Sequence, residues 1–200
     1  MTQQPEPRPI SVCVFCGSRP GESAQFAAAA RDTGTRIALL GWQLVYGGGR
    51  AGLMGELADA TLAAGGRVVG VIPQSLMQRE QGHPGLSELH VVQTMHERKR
   101  LMAEHSDAFM ALPGGIGTME ELFEVWTWRQ LGYHDKPLGL LNIAGYYDKL
   151  LDFIEDSVAG RFLKREHSAL LQVASDSATL LQRLGRLALG ATAPDDYSST

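Results

Sequence analysis

Short runs of buried-type residues alternate with longer amphipathic stretches along most of this chain. Runs rich in aliphatic and β-branched residues predict strands. They lie at 11–15, 43–46, 67–72, 89–92, 108–112 and 138–141, with a seventh near 170–173. Between them, apolar residues at helical spacing predict helices at 23–40, 53–64, 95–105, 118–131, 147–159 and 178–189. This alternation predicts an α/β fold, in which a parallel sheet of about six or seven strands carries helices on both faces.

The pattern favours one domain with a short extension at each end. The chain of 200 residues is long enough to bury a proper core. Residues 1–10 are polar and rich in proline, so we expect a disordered leader. Residues 11–189 form the predicted domain, and residues 190–200 lack a core pattern and are expected to be a disordered tail.

Composition and charge narrow the range of partners. The net charge is −4 and no basic stripe is present, so we expect no nucleic-acid partner. No apolar run has the length of a membrane span and no signal peptide is recognisable, so we expect a cytoplasmic protein without a membrane partner. The histidines show no metal-ligand spacing, and Cys13 and Cys16 cannot form a four-ligand zinc site alone. Because Cys13 falls inside a predicted strand, the pair is interpreted as ordinary buried cysteines rather than a dithiol centre.

Glycine-rich or polar loops follow three of the predicted strands, at 17–18, 47–52 and 113–118. Ligands of parallel α/β sheets bind outside the carboxyl ends of the strands, so these loops mark the expected site.

The loop at 113–118 (PGGIGT) has the character of a phosphate cradle. Its glycines allow main-chain N–H groups to approach an anion, and the following helix directs its positive end to the same place. It lacks the Gly-Lys-Ser/Thr ending of a Walker loop, which makes nucleoside triphosphate hydrolysis a poor interpretation. The alternative is a plain strand-to-helix turn, in which Thr118 and Glu121 form a capping box.

The loop at 47–52 satisfies G-x-G-x-x-G through Gly47, Gly49 and Gly52. A dinucleotide site would also need an acid about twenty residues later, where the chain has none. Close approach of a smaller nucleotide is favoured, and a tight turn is the alternative.

A basic segment at 95–100 (MHERKR) follows a predicted capping box of Thr94 and Glu97. This places Arg98 in the first turn of a helix near the strand ends, where a guanidinium could hold a phosphate or a carboxylate. An exposed basic helix face is the alternative.

Together these segments resemble the Lonely Guy (LOG) family of cytokinin riboside 5′-monophosphate phosphoribohydrolases, formerly described as lysine decarboxylases. The run from Leu112 to Glu121, continuing to Trp128, is similar to the family signature P-G-G-x-G-T-x-x-E. Ile116 stands where tyrosine or glycine is more usual. The resemblance covers roughly 11–180 and includes the segments 16–18, 47–49, 52–55, 72–73, 95–99 and 136–142.

The resemblance implies a Rossmann-like doubly wound sheet, a homodimer, and catalytic roles for Arg98 and Glu121. The motifs and the resemblance together give a set of expected substrate-binding residues, with no cofactor and no metal. These residues are Ser18, Gly48, Gly49, Glu80, Met95, Lys99, Gly114, Gly115, Ile116, Gly117, Thr118, Met119, Glu120 and Thr127.

The implied reaction is hydrolysis of the N-glycosidic bond of an N6-modified adenosine 5′-monophosphate, which gives the free base and ribose 5-phosphate. The carboxylate of Glu121 would stabilise an oxocarbenium-like transition state or activate water, and a first-turn position would keep it ionised. Arg98 would hold the phosphate or orient Glu121. One alternative is a non-catalytic nucleotide carrier or sensor on the same fold. Another is a decarboxylase, which would need pyridoxal phosphate on a lysine.

Overall fold

A seven-stranded, entirely parallel sheet forms the centre of the computed structural model, which describes residues 9–77, 81–192 and 195–197. The strands are β1 (Ser11–Phe15), β2 (Gln43–Tyr46), β3 (Arg67–Pro73), β4 (Glu88–Val92), β5 (Ala108–Ala111), β6 (Leu138–Leu141) and β7 (Leu171–Ala174). The helices are α1 (Ala24–Leu39), α2 (Leu53–Ala63), α3 (Met95–Glu104), α4 (Ile116–Leu131), α5 (Asp148–Ala159), α6 (Arg165–Ser168) and α7 (Ser177–Ala188). The predicted Rossmann-like doubly wound fold is confirmed, although the short helix α6 was not predicted.

The strand order places the expected site at a topological switch point. The order is β4-β3-β2-β1-β5-β6-β7, so the chain leaves β1 in one direction and later returns to its other side with β5. At the ends of these two strands, Phe15 is paired with Ala111. The loops that follow β1 and β5 therefore diverge from adjacent positions, and the crevice between them is where such sheets bind ligands.

Alternating side chains of each strand supply two separate cores. Val12 and Val14 of β1 point to a core shared with α1, α2 and α7, whereas Cys13 and Phe15 point to a core shared with α3, α4 and α5. Each of the five residues of β1 is buried, as expected for a strand covered on both faces. Helices on both sides of the sheet hold the strand ends, and therefore the site, in fixed positions.

Part of the expected disordered tail packs against the domain. Tyr197 is only 5% exposed and contacts the rings of Trp128 and His134. Its neighbour Asp195 lies 2.5 Å from Nζ of Lys136. The expectation of disorder is therefore wrong for 195–197, because an aromatic ring and a carboxylate find buried partners there. Residues 1–8, 193–194 and 198–200 lie outside the described residues.

Within the part of the chain that the structure describes, no helix combines the length and the apolar character needed to cross a membrane.

Candidate active site

A cleft of about 790 Å³ opens at the carboxyl edge of the sheet. The loops after β1 and β5 and the starts of α2 and α4 line it, together with Phe26, Leu76, Met95 and Tyr146. Most of the expected site residues line it. They are Ser18, Met95, Arg98, Gly114, Gly115, Ile116, Gly117, Thr118, Glu120 and Glu121.

Main-chain contacts join the loops that form the centre of the cleft. The N–H of Gly17 donates to the carbonyl of Pro113 at 3.1 Å, and the N–H of Leu53 donates to the carbonyl of Gly17 at 2.9 Å. Gly52 adopts a positive φ of 58°, and a Cβ placed on it would collide with the main chain of Ser18 and Arg19. Glycine is therefore required where these loops meet, and main-chain contacts fix the loops relative to one another.

The amino end of α4 faces open space in this cleft. Gly115 is the N-cap residue, and the cap has no side-chain hydrogen bond. A Cβ placed on Gly115 or Gly117 would meet no atom within 4 Å. Packing therefore does not require glycine at these two positions, whereas close approach of an anion to main-chain N–H groups does. A helix of 16 residues also directs a positive partial charge to this point.

The alternative interpretation, in which Thr118 and Glu121 form a capping box, is wrong. The helix begins two residues earlier than predicted, so Thr118 lies inside its first turn and is buried. A Cβ on Gly114 would collide with the Thr118 hydroxyl oxygen, so this hydroxyl stands against the glycine loop.

Two tyrosines that the sequence analysis missed hold the same loop from the β6 side. The hydroxyl of Tyr146 donates to the carbonyl of Gly114, and that of Tyr147 donates to the carbonyl of Leu112, each at 2.6 Å. Burial raises the pKa of the Tyr147 hydroxyl, which therefore remains a donor. The one feature of the sequence that could have indicated their role is their position just after β6, the strand next to β5.

Arg98 is buried rather than part of an exposed basic face. Its side chain is 5% exposed, and Nη2 donates to the carbonyl of Gly47 at 3.2 Å. A Cβ on Gly47 would collide with that same nitrogen, so Gly47 makes room for the guanidinium. The predicted capping box of Thr94 and Glu97 is confirmed, and it fixes the helix turn from which Arg98 extends.

Glu121 is half-buried in the second turn of α4 and lines the cleft together with Arg98. Its expected first-turn position is therefore wrong, because the helix starts at Ile116. Burial, and secondly the charge of Glu121, raise the pKa of the thiols of Cys16 and Cys13. Both cysteines are free thiols in the core, which agrees with the structural interpretation of this pair.

Several expected contacts do not line the cleft of the single chain. The carbonyl of Gly48 accepts the N–H of His83, and Gly49 forms a β-bridge with Gly82. Lys99, Met119 and Thr127 lie on α3 and α4, and Thr127 is exposed. Glu80 lies outside the described residues.

Lys99 is held by two carboxylates beside the cleft. Its Nζ lies 2.6 Å from Glu120 and 2.8 Å from Glu124. Burial lowers the pKa of this ammonium, but the two glutamates outweigh burial and the net shift is upward. Lys99 is therefore a charged partner of Glu120 rather than a neutral nucleophile.

Solved structures share this fold at low sequence identity. The molybdenum cofactor carrier protein of Chlamydomonas reinhardtii superposes with a TM-score of 0.69 at 22% identity, covering 90% of this chain and 98% of that one. The molybdenum cofactor binding protein of Rippkaea orientalis gives the same TM-score at 20% identity, with the same coverage of both chains. These likenesses establish the fold alone.

A family model described as "Possible lysine decarboxylase" matches residues 54–184. A decarboxylase of that kind would need a lysine in the cleft to carry pyridoxal phosphate. Within the part of the chain that the structure describes, none of the residues that line the cleft is a lysine. The side chains therefore do not fit that cofactor, and among the described residues no cluster of His, Cys, Asp or Glu could hold a metal ion.

Curated relatives match over most of both chains. The cytokinin riboside 5′-monophosphate phosphoribohydrolase of Rhodococcoides fascians is 53% identical, covering 82% of this chain and 83% of its own length. The Arabidopsis thaliana enzyme of that name, LOG4, is 48% identical, covering 86% of this chain and 80% of its own. With identities at this level over more than four-fifths of its length, the chain belongs to the LOG family.

Proposed function

We propose that this protein hydrolyses the N-glycosidic bond of an N6-modified adenosine 5′-monophosphate and releases a cytokinin base and ribose 5-phosphate. The observation that carries the proposal is one cleft in which a helix amino end, an arginine and a carboxylate meet. These groups are the start of α4, Arg98 and Glu121. The names of the relatives in Rhodococcoides fascians and Arabidopsis thaliana support the same reaction.

The glycine loop supplies the phosphate site. Open space at Gly115 and Gly117 leaves room for phosphate oxygens beside the main chain, and the helix end favours their charge. This arrangement explains a requirement for the monophosphate, because a nucleoside would leave the loop unused.

Glu121 supplies the negative charge for the reaction centre. Cleavage of a ribosyl bond passes through a transition state with positive charge at C1′ and O4′. A carboxylate beside C1′ stabilises that charge or takes a proton from the attacking water. The water oxygen then bonds to C1′, the bond from C1′ to the base nitrogen breaks, and the base leaves with that electron pair and takes up a proton.

Arg98 supplies a fixed cation beside these groups. Its hydrogen bond to the Gly47 carbonyl sets the position of the guanidinium before substrate arrives. From this position it holds the ribose phosphate or orients the Glu121 carboxylate, so removing it should reduce both affinity and turnover.

We further propose that the active unit is a homodimer. Thr127 and Phe123 are exposed on α4, and Thr127 belongs to the expected nucleotide contacts although it does not line the cleft of one chain. A second copy packed against this face of α4 would cover the exposed Phe123 ring and give Thr127 a neighbouring chain to contact.

The experiment is to incubate the protein with AMP and with isopentenyladenosine monophosphate and to measure free base and ribose 5-phosphate by chromatography. We expect both products from the modified nucleotide, at a rate well above that from AMP. Glu121→Gln should lower kcat by about a hundredfold or more, while the dissociation constant of AMP changes by no more than about threefold. Tight binding without release of base from either nucleotide would instead favour the carrier or sensor.

A further inference from the structure

Among the described residues, two arginines line the cleft, and one of them forms a hydrogen bond within the protein. Arg98 is buried against Gly47. Arg19 is exposed in the loop after β1, on the same wall as Ser18 and close to the glycine loop. Among the described residues, no carboxylate forms an ion pair with Arg19.

The main chain that carries Arg19 is held in place on two sides. A Cβ on Gly52 would collide with the nitrogen of Arg19, and a Cβ on Gly17 would lie 3.0 Å from its carbonyl oxygen. The N–H of Gly17 is itself hydrogen-bonded to the carbonyl of Pro113 in the glycine loop. The main chain at Arg19 is therefore fixed relative to the amino end of α4, and only its side chain is free to move.

The charges that line the cleft show why such a cation is needed. Among the described residues, the charged side chains that line the cleft are those of Arg19, Arg98, Glu120 and Glu121. A phosphate monoester carries a charge of about −1.5 to −2 at neutral pH. Lys99 already pairs with Glu120 from beside the cleft, so without Arg19 the one cation among the described lining residues that could face an incoming phosphate would be Arg98.

We propose that Arg19 is a specificity-determining residue that binds the 5′-phosphate of the substrate at the mouth of the cleft. Its guanidinium completes the phosphate site from the side opposite the main-chain N–H groups of the glycine loop, in the bidentate geometry that suits phosphate. Arg19 thereby favours nucleotides and ribose 5-phosphate over nucleosides. The inference rests on the proposed function, because it assigns a residue to the phosphate of that substrate.

Equilibrium binding tests this role without turnover. Calorimetry would measure ribose 5-phosphate and adenosine against the wild type, Arg19→Ala and Arg19→Lys. We expect Arg19→Ala to weaken the binding of ribose 5-phosphate by about tenfold or more and Arg19→Lys to weaken it less. The affinity for adenosine should be the same in all three proteins. Arg50→Ala removes an exposed arginine that does not line the cleft and controls for a general loss of charge.

The affinity of the wild type for ribose 5-phosphate should fall more steeply with added salt than that of Arg19→Ala, because an exposed charge pair is screened. Three outcomes would each overturn the role of Arg19. They are an Arg19→Ala affinity for ribose 5-phosphate within about twofold of wild type, an equal loss of affinity in Arg50→Ala, and no binding of ribose 5-phosphate by the wild type. Failure of the wild type to release base, with the expected binding pattern intact, would refute the hydrolysis and leave Arg19 as the phosphate ligand.

Discussion

Replacing Gly117 with alanine separates the two roles that a glycine at the start of α4 can have. A Cβ on Gly117 would meet no atom within 4 Å, so the substitution costs nothing in packing. Alanine is more favourable than glycine in a helix by up to about 1 kcal/mol. For a chain of this size that corresponds to a rise in Tm of about 2–4 °C. If the helix end were only a turn, Gly117→Ala would therefore be neutral or beneficial in every assay.

A phosphate in the glycine loop changes this expectation, because the added methyl group would occupy the space beside the N–H groups that bind its oxygens. Losing one hydrogen bond to a charged oxygen costs about 1.5–3 kcal/mol, which is roughly a 10- to 150-fold fall in kcat/KM. Thermal unfolding and steady-state kinetics on one preparation give both values. Gly190→Ala, at the far end of α7, is the control and should leave kinetics unchanged. Full activity in a stable Gly117→Ala variant would show that no phosphate approaches this main chain.

Gly47→Ala should displace the Arg98 guanidinium and lower kcat/KM by about tenfold or more, with no further loss when it is combined with Arg98→Ala. Burial lowers the pKa of His134 to about 4, against the opposing effect of its hydrogen bond with the Val125 carbonyl, so the unfolded chain takes up a proton first as the pH falls from about 6.5 to 4. The free energy of unfolding, measured by urea denaturation, should fall by roughly 3 kcal/mol over that window. The unfolding free energy of the His134→Gln variant should fall less over the same window. Tyr197→Ala should lower the free energy of unfolding by about 3 kcal/mol, whereas Phe162→Ala, which removes an exposed ring, should not.

Each of these results has an outcome that would contradict its reasoning. Additive losses in the double variant would mean that Gly47 and Arg98 act separately. An equal loss of stability in acid for His134→Gln would assign the effect to other groups. An unchanged unfolding transition in Tyr197→Ala would mean that the Tyr197 ring contributes nothing to the stability of the fold.

The fold could be predicted because its signals are local. Strands such as β1 and β5 are buried on both faces and appear as unbroken apolar runs, and glycine follows several helices at their ends. Helix starts are less certain because different N-caps compete. Thr118 and Glu121 have the spacing of a capping box, but the structure uses Gly115 without a side-chain bond.

The site residues could be predicted only where they belong to one continuous sequence motif. The glycine loop and Arg98 were found from short motifs, but the bond between Arg98 and Gly47 joins residues 51 positions apart. The spacing of a G-x-G-x-x-G run does not show which glycine faces a ligand. Gly48 packs against Ile72 of the sheet instead, because strand order, which no local pattern reveals, decides what lies beside it.

The main-chain construction of the glycine loop has an evolutionary consequence. In the proposed mechanism its anion-binding groups are peptide N–H groups, which every residue type except proline retains, so a requirement for phosphate should persist through sequence divergence that keeps the glycines of the loop. The rim is different: the side chain of Ile116 is 90% exposed at the mouth of the cleft and is free to vary. New base preferences should therefore arise by changes at the rim, while the need for a phosphorylated ribose is inherited unchanged.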